Sequence, residues 1–164
     1  MAASTVKKAV IQRFEKEALG GYVNPASYLQ PTGVELLSAE GQVAVVPFAE
    51  IRSVSFVRDF DTPAADMRKV FLTRPKMEGL WMRFTFRDGE VMEGVMPNNL
   101  LPVEHHGFTV IPPDPYSNHQ RVFLPRAALR SAEVLGVVGS PLKRRRAKEA
   151  AKEQIGLFEE PAGE

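Results

Sequence analysis

Apolar and polar residues alternate with a period of two through most of the chain up to about residue 138, the pattern of half-buried strands rather than helices. In Leu80-Trp81-Met82-Arg83-Phe84-Thr85-Phe86, the side chains of Leu80, Met82, Phe84 and Phe86 fall on one face. Arg87-Asp88-Gly89-Glu90 then reverses the chain, because Asp-Gly supplies the positive φ angles of a tight hairpin turn, and Val91 to Met96 returns as the next strand. Three more strands are expected over 107–111, 121–125 and 129–135. Pro112-Pro113-Asp114-Pro115-Tyr116-Ser117-Asn118 is a turn-rich link, and Arg126-Ala127-Ala128 has room for one helical turn. The same order of elements is predicted earlier in the chain, near 8–14, 21–24, 33–38, 43–47 and 51–57.

The two series of strands also match residue by residue. Val45-Val46-Pro47-Phe48-Ala49-Glu50-Ile51-Arg52-Ser53-Val54-Ser55-Phe56-Val57 aligns without a gap to Phe123-Leu124-Pro125-Arg126-Ala127-Ala128-Leu129-Arg130-Ser131-Ala132-Glu133-Val134-Leu135. Pro, Ala, Arg and Ser recur at identical offsets. Phe14 through Gly21 to Pro25 matches Phe86 through Gly94 to Asn98, and Gly33 to Leu37 matches Gly107 to Ile111. The pattern points to an internal duplication. A unit of about 55 residues is marginal as an independent fold, so two copies packed together are expected to share their burial. The expected organisation is one small β unit over 6–58, a connector over 59–79, a second unit over 80–138, and a charged helix and flexible tail over 139–164. Lys69 to Arg74 is a candidate added strand within the connector.

The strand ending in Asp-Gly, the mid-strand Gly94, and the final hairpin with a one-turn link between Val122-Phe123-Leu124-Pro125 and Leu129-Arg130-Ser131-Ala132 resemble the Sm-like branch of the SH3-like barrels. The first copy has Glu15-Lys16-Glu17 where the second has its Asp-Gly turn. The pair is also similar to an uncharacterised bacterial domain family seen alone or beside signalling modules. The resemblance implies an all-β fold of two tandem five-stranded Sm-like or SH3-like barrels packed as a pseudo-repeat. It further implies RNA-contacting loops, which here would hold Asn24, Tyr28, Asn98 and Asn99.

Composition narrows the function classes. The chain has no cysteine, which removes disulfides and thiolate metal sites. Its first ten residues lack the apolar core of a signal peptide and no apolar run reaches membrane-spanning length, so a soluble cytoplasmic protein without a membrane partner is expected. Net charge is +1, and residues 1 to 140 carry equal numbers of basic and acidic side chains. Positive charge concentrates in Lys143, Arg144, Arg145, Arg146 and Lys148, on a helix expected to start near Ser140-Pro141, where Ser can cap and Pro suits the first turn. Such a run can bind RNA or DNA phosphates. The alternative is a solvated helix, since Glu149 and Glu153 dilute the charge.

Beyond that helix, Gln154-Ile155-Gly156-Leu157-Phe158 is similar to the Gln-x-x-Leu-Phe peptide by which bacterial proteins dock on the DNA polymerase sliding clamp. In such a peptide Leu157 and Phe158 would fill an apolar pocket, with Ile155 beside them and the Gln154 amide bonded at the rim. The alternative is that Leu157 and Phe158 fold back on the body. His105, His106 and His119 read as loop residues rather than metal ligands, because adjacent His side chains diverge along an extended chain. Trp81, Phe84, Phe86, Phe108 and Phe123 read as core rather than as a base-stacking platform. Arg52 and Arg130 recur at equivalent places, each before a Ser, and read as outward Arg side chains lying across a junction between the copies. No Ser sits in a nucleophile-elbow context, and no Gly-rich phosphate loop or dinucleotide fingerprint is present, so neither a cofactor nor catalysis is expected. The expected function is a non-enzymatic adaptor that docks on a protein partner through its tail. The alternatives are an RNA- or DNA-binding protein acting through the basic run and a ligand-sensing regulatory module.

Overall fold

A computed structural model describes residues 5–61, 68–99, 105–114 and 118–139. These residues are mostly strand, with almost no helix. The first half contains β1 (Lys7–Arg13), β2 (Leu19–Val23), β3 (Gly33–Leu37), β4 (Val43–Pro47) and β5 (Ile51–Val57). The second contains β6 (Gly79–Phe86), β7 (Val91–Met96), β8 (Gly107–Val110), β9 (His119–Pro125) and β10 (Leu129–Val138). A single 3-10 turn joins β4 to β5 (Phe48–Glu50), and another joins β9 to β10 (Arg126–Ala128).

The strands form a seven-stranded sheet in the order β4-β3-β2-β1-β5-β9-β8 and a three-stranded sheet in the order β10-β6-β7. Reciprocal backbone bonds between Val95 and Ile111, 3.0 and 2.8 Å long, link β7 to the end of β8. Through that bridge the second half runs β9-β8-β7-β6-β10, which is the first half's β4-β3-β2-β1-β5 with each number raised by five.

Neither sheet closes into a barrel, in contrast to the two barrels that the sequence pattern predicts. The reason is a change of partner. The free side of β5 pairs with β9 of the other half, in antiparallel register Val54↔Phe123, Ser55↔Val122 and Phe56↔Arg121. Alternation along β9 then serves two cores. Phe123 points into the cluster of Ala9, Ile11, Val34, Ile51 and Val54, whereas Val122 and Leu124 join Met82, Phe84, Met92 and Val110. Of the five aromatics expected in the core, Phe84, Phe86 and Phe123 are buried, while Trp81 and Phe108 are half-buried.

Two local expectations change as well. Residues 69–74 do not form a strand. They lie against β7, where the buried Glu93 carboxylate accepts the Phe71 amide at 2.9 Å and the Glu93 amide donates to the Lys69 carbonyl at 2.7 Å. His119 is no loop residue: β9 begins at that position, opposite Val57, and its ring is buried. The expected helix and tail, including all the candidate residues from Lys143 to Phe158, lie outside the described residues.

Gly94 sits where β7 passes β8 at close range, and a Cβ there would stand 2.7 Å from Val110 Cγ2. Gly94→Val should therefore separate β7 from β8 and lower the urea midpoint. Phe123→Ala removes the ring from the core at the joint and should cost about 3–5 kcal/mol in equilibrium unfolding. If one small domain's worth of burial unfolded in the Phe123→Ala chain while the rest stayed folded, the shared-core account would be wrong.

Candidate functional site

A cleft of about 810 Å³ lies between the halves. Tyr28 and Phe56 contribute from the first half, Met96 and Phe108 from the second, and Lys7 and Arg121 are its charged lining groups. Local chemistry sets Tyr28 in place. The Asn24 side-chain oxygen accepts the Ala26 amide at 2.9 Å, and the Asn24 carbonyl accepts the Tyr28 amide at 2.9 Å, so the chain turns tightly after β2. The Tyr28 ring then meets Phe56 and Phe123 edge-on, at centroid separations of 5.5 and 6.0 Å. This volume and mostly apolar lining match a small-molecule or peptide side-chain site. Its cations favour an occupant with an anionic end.

A second cluster joins the halves on another side. Arg52, on β5, forms an ion pair with Asp88 and a second with Glu90 at 3.3 Å, both on the turn between β6 and β7. Its guanidinium also lies over the rings of Phe14, at 4.7 Å, and Phe86, at 5.1 Å. Arg87 also lies over the Phe14 ring, at 3.9 Å, and donates to the Ala49 carbonyl at 2.7 Å. Desolvation works against the Asp88 carboxylate, but the Glu90 amide and the Arg52 guanidinium outweigh it and hold the carboxyl below its ordinary 3.8. The expectation that Arg52 lies across the junction therefore has a geometric counterpart, whereas Arg130 donates to the Arg87 carbonyl of its own half, at 3.1 Å.

The structure brings together some loop residues singled out by resemblance and leaves others apart. Tyr28 and Asn99 line the same cleft, but Asn24 is occupied in its turn. Gln154, Ile155, Leu157 and Phe158, with the basic residues 143–146 and 148, lie beyond the described chain. The cleft as a unit was invisible in the sequence, because Lys7, Phe56 and Arg121 come from strands whose pairing no local pattern reveals. Among the described residues, no three His, Asp or Glu side chains gather as metal ligands, and no helix is long and apolar enough to cross a membrane.

A family model described as a family of unknown function (DUF6982) matches residues 5–136, a span that takes in β1 through most of β10. No curated protein and no solved structure matches the chain.

Burial pushes the His119 imidazole below its ordinary 6.5, so the folded chain holds it neutral while the unfolded chain takes up a proton at mildly acidic pH. Its contribution to stability is therefore complete above pH 6.5 and declines as the pH falls from there towards the lower folded-state value. Urea midpoints measured from about pH 7.5 down to about 5.5 should fall for the natural chain and fall less for His119→Gln. Parallel profiles for the two chains would remove His119 as the cause.

Proposed function

The chain belongs to this family of unknown function, and we propose from its own residues that it is a non-enzymatic adaptor of the cytoplasm. In this reading two Sm-like units, residues 6–58 and 80–138, form a body that presents the peptide Gln154-Ile155-Gly156-Leu157-Phe158 to a protein partner. The DNA sliding clamp is the concrete candidate. The observation that carries the reading is the placement of two bulky apolar residues, Leu157 and Phe158, beyond a fixed point of departure. Val138 at the end of β10 is buried, and Gly139 follows in the left-handed region at φ +56°, where a Cβ would stand 2.8 Å from Glu78 Cγ. A short apolar anchor on a chain held at one end combines a defined origin with reach.

The cleft between the halves supports a second reading, a ligand-sensing module. Its volume suits a small molecule, and Lys7 with Arg121 would select an anionic one. A ligand of that kind should raise the melting temperature as its concentration exceeds its dissociation constant. The third reading, binding of RNA or DNA through Lys143 to Lys148, predicts affinity that falls steeply with salt.

The deciding experiment measures binding of the purified full chain to purified sliding clamp. The natural chain should bind, and Leu157→Ala with Phe158→Ala should weaken binding by about 30-fold or more, the equivalent of at least about 2 kcal/mol for loss of a central anchor. Absence of binding, or equal binding by the double variant, ends the adaptor reading as stated. Salt-sensitive binding to nucleic acid that disappears when residues 143–148 are neutralised would move the function to the basic run.

A further inference from the structure

Among the described residues one joint pairs a first-half strand with a second-half strand, and the two edges that would make the same joint again are left open. In the ungapped alignment of 45–57 with 123–135, β4 corresponds to β9 and β5 to β10. β5 and β9 pair with each other. β10 and β4 are each the last strand of their sheet, with no partner on the outer side among the described residues.

Burial follows this difference in partnership. Along β5, five of seven residues are buried, but from Arg130 to Val134 the corresponding residues of β10 are all exposed. Val122, Phe123, Leu124 and Pro125 of β9 are buried, whereas in β4 only Val46 is. Both edges expose large apolar side chains, although β10 also exposes Arg130 and Glu133: Val43 is 64% exposed, Val45 47% and Val134 58%. Carrying the β5·β9 register across the alignment sets Ala132 against Val45, Glu133 against Ala44, and Val134 against Val43. Three of the four exposed valines on these two strands fall inside that ladder, Val137 lying beyond it, and Val43 and Val134 face each other.

Charge agrees with the same joint. At the internal junction Arg52 reaches the acidic turn after β6, at Asp88 and Glu90. Its counterpart Arg130 is exposed, and the turn after β1 carries exposed Glu15 and Glu17. A chain added along β10 would bring that turn towards Arg130.

We propose that this protein assembles with itself head to tail, β10 of one copy pairing antiparallel with β4 of the next in the register Val134↔Val43. The interface joins two different edges, so each added copy leaves one of each kind open, and growth stops only when a ring closes. This assembly concerns the body and is independent of whatever the tail binds.

The test is the mass of the full chain in solution across a concentration series, by light scattering or sedimentation. The natural chain should assemble beyond a dimer, or into a closed ring of fixed size. Val43→Lys and Val134→Lys each place a charge on an already exposed strand position, and each chain should be monomeric with unchanged circular dichroism and urea midpoint. An equimolar mixture of the two retains one intact β4 and one intact β10, so it should form a heterodimer and stop there. Because the natural chain has no cysteine, Val43→Cys with Val134→Cys should give interchain disulfide ladders on oxidation, directly opposed Cβ atoms being about 4.5–5.5 Å apart. A natural chain that stays monomeric at every concentration overturns the proposal. A dimer insensitive to Val134→Lys, a mixture that fails to pair, or an assembly without the disulfide ladder overturns the head-to-tail register. Assembly only after removal of residues 140–164 assigns the edges to the tail instead.

Discussion

The ladder between β5 and β9 is the contact on which the rest of the molecule depends. Without it, the first half would present β5 as a bare edge and lose Phe123 from its core, while the second half would leave β9 without its neighbour. An aromatic ring of this size buries enough apolar surface to decide the stability of a unit of some 55 residues, which has little to spare. The cleft follows from the same contact, because Phe56 and Arg121, two of its lining residues, are paired to each other across the ladder.

Side-chain electrostatics reinforce what the backbone begins. Arg52 stands among two aromatic rings and two carboxylates, all but one ring from the opposite half, and Arg87 lies over Phe14 as well. Each contact alone is modest because these groups are partly solvated, yet they share one geometry and restrict the same rotation of one half on the other. Glu93 does similar work for the linking segment. Its carboxylate is buried, bonded to the Phe71 amide and to Arg83 at 3.3 Å, while its backbone amide holds the Lys69 carbonyl, so one residue fixes 69–71 by side chain and backbone together.

Elements with a local signature were legible in the sequence. The strands around 33–37, 43–47, 51–57, 80–86 and 91–96 and both one-turn links stand close to where alternation, Pro and Asp-Gly place them. Alternation reports which face of a strand is buried but not which strand lies beside it, so barrel closure was expected where β5 in fact turns to β9. β10 runs on to Val138, past its expected end at 135, because a register shift between Val134 and Gly136 keeps it paired with β6 as far as Gly79. His119 went unrecognised as a strand residue because its partner, Val57, lies in the other half. The cleft was illegible for the same reason, although two of its residues, Tyr28 and Asn99, were marked by their loops.

Synthesis order gives the β5·β9 ladder a temporal side. β5 ends at Val57 and β9 begins at His119, so about 60 residues must follow before β5 can meet its partner. At about 5–20 residues per second, a nascent first half waits roughly 3–12 s with that strand unclosed, long against the microsecond scale of hairpin formation.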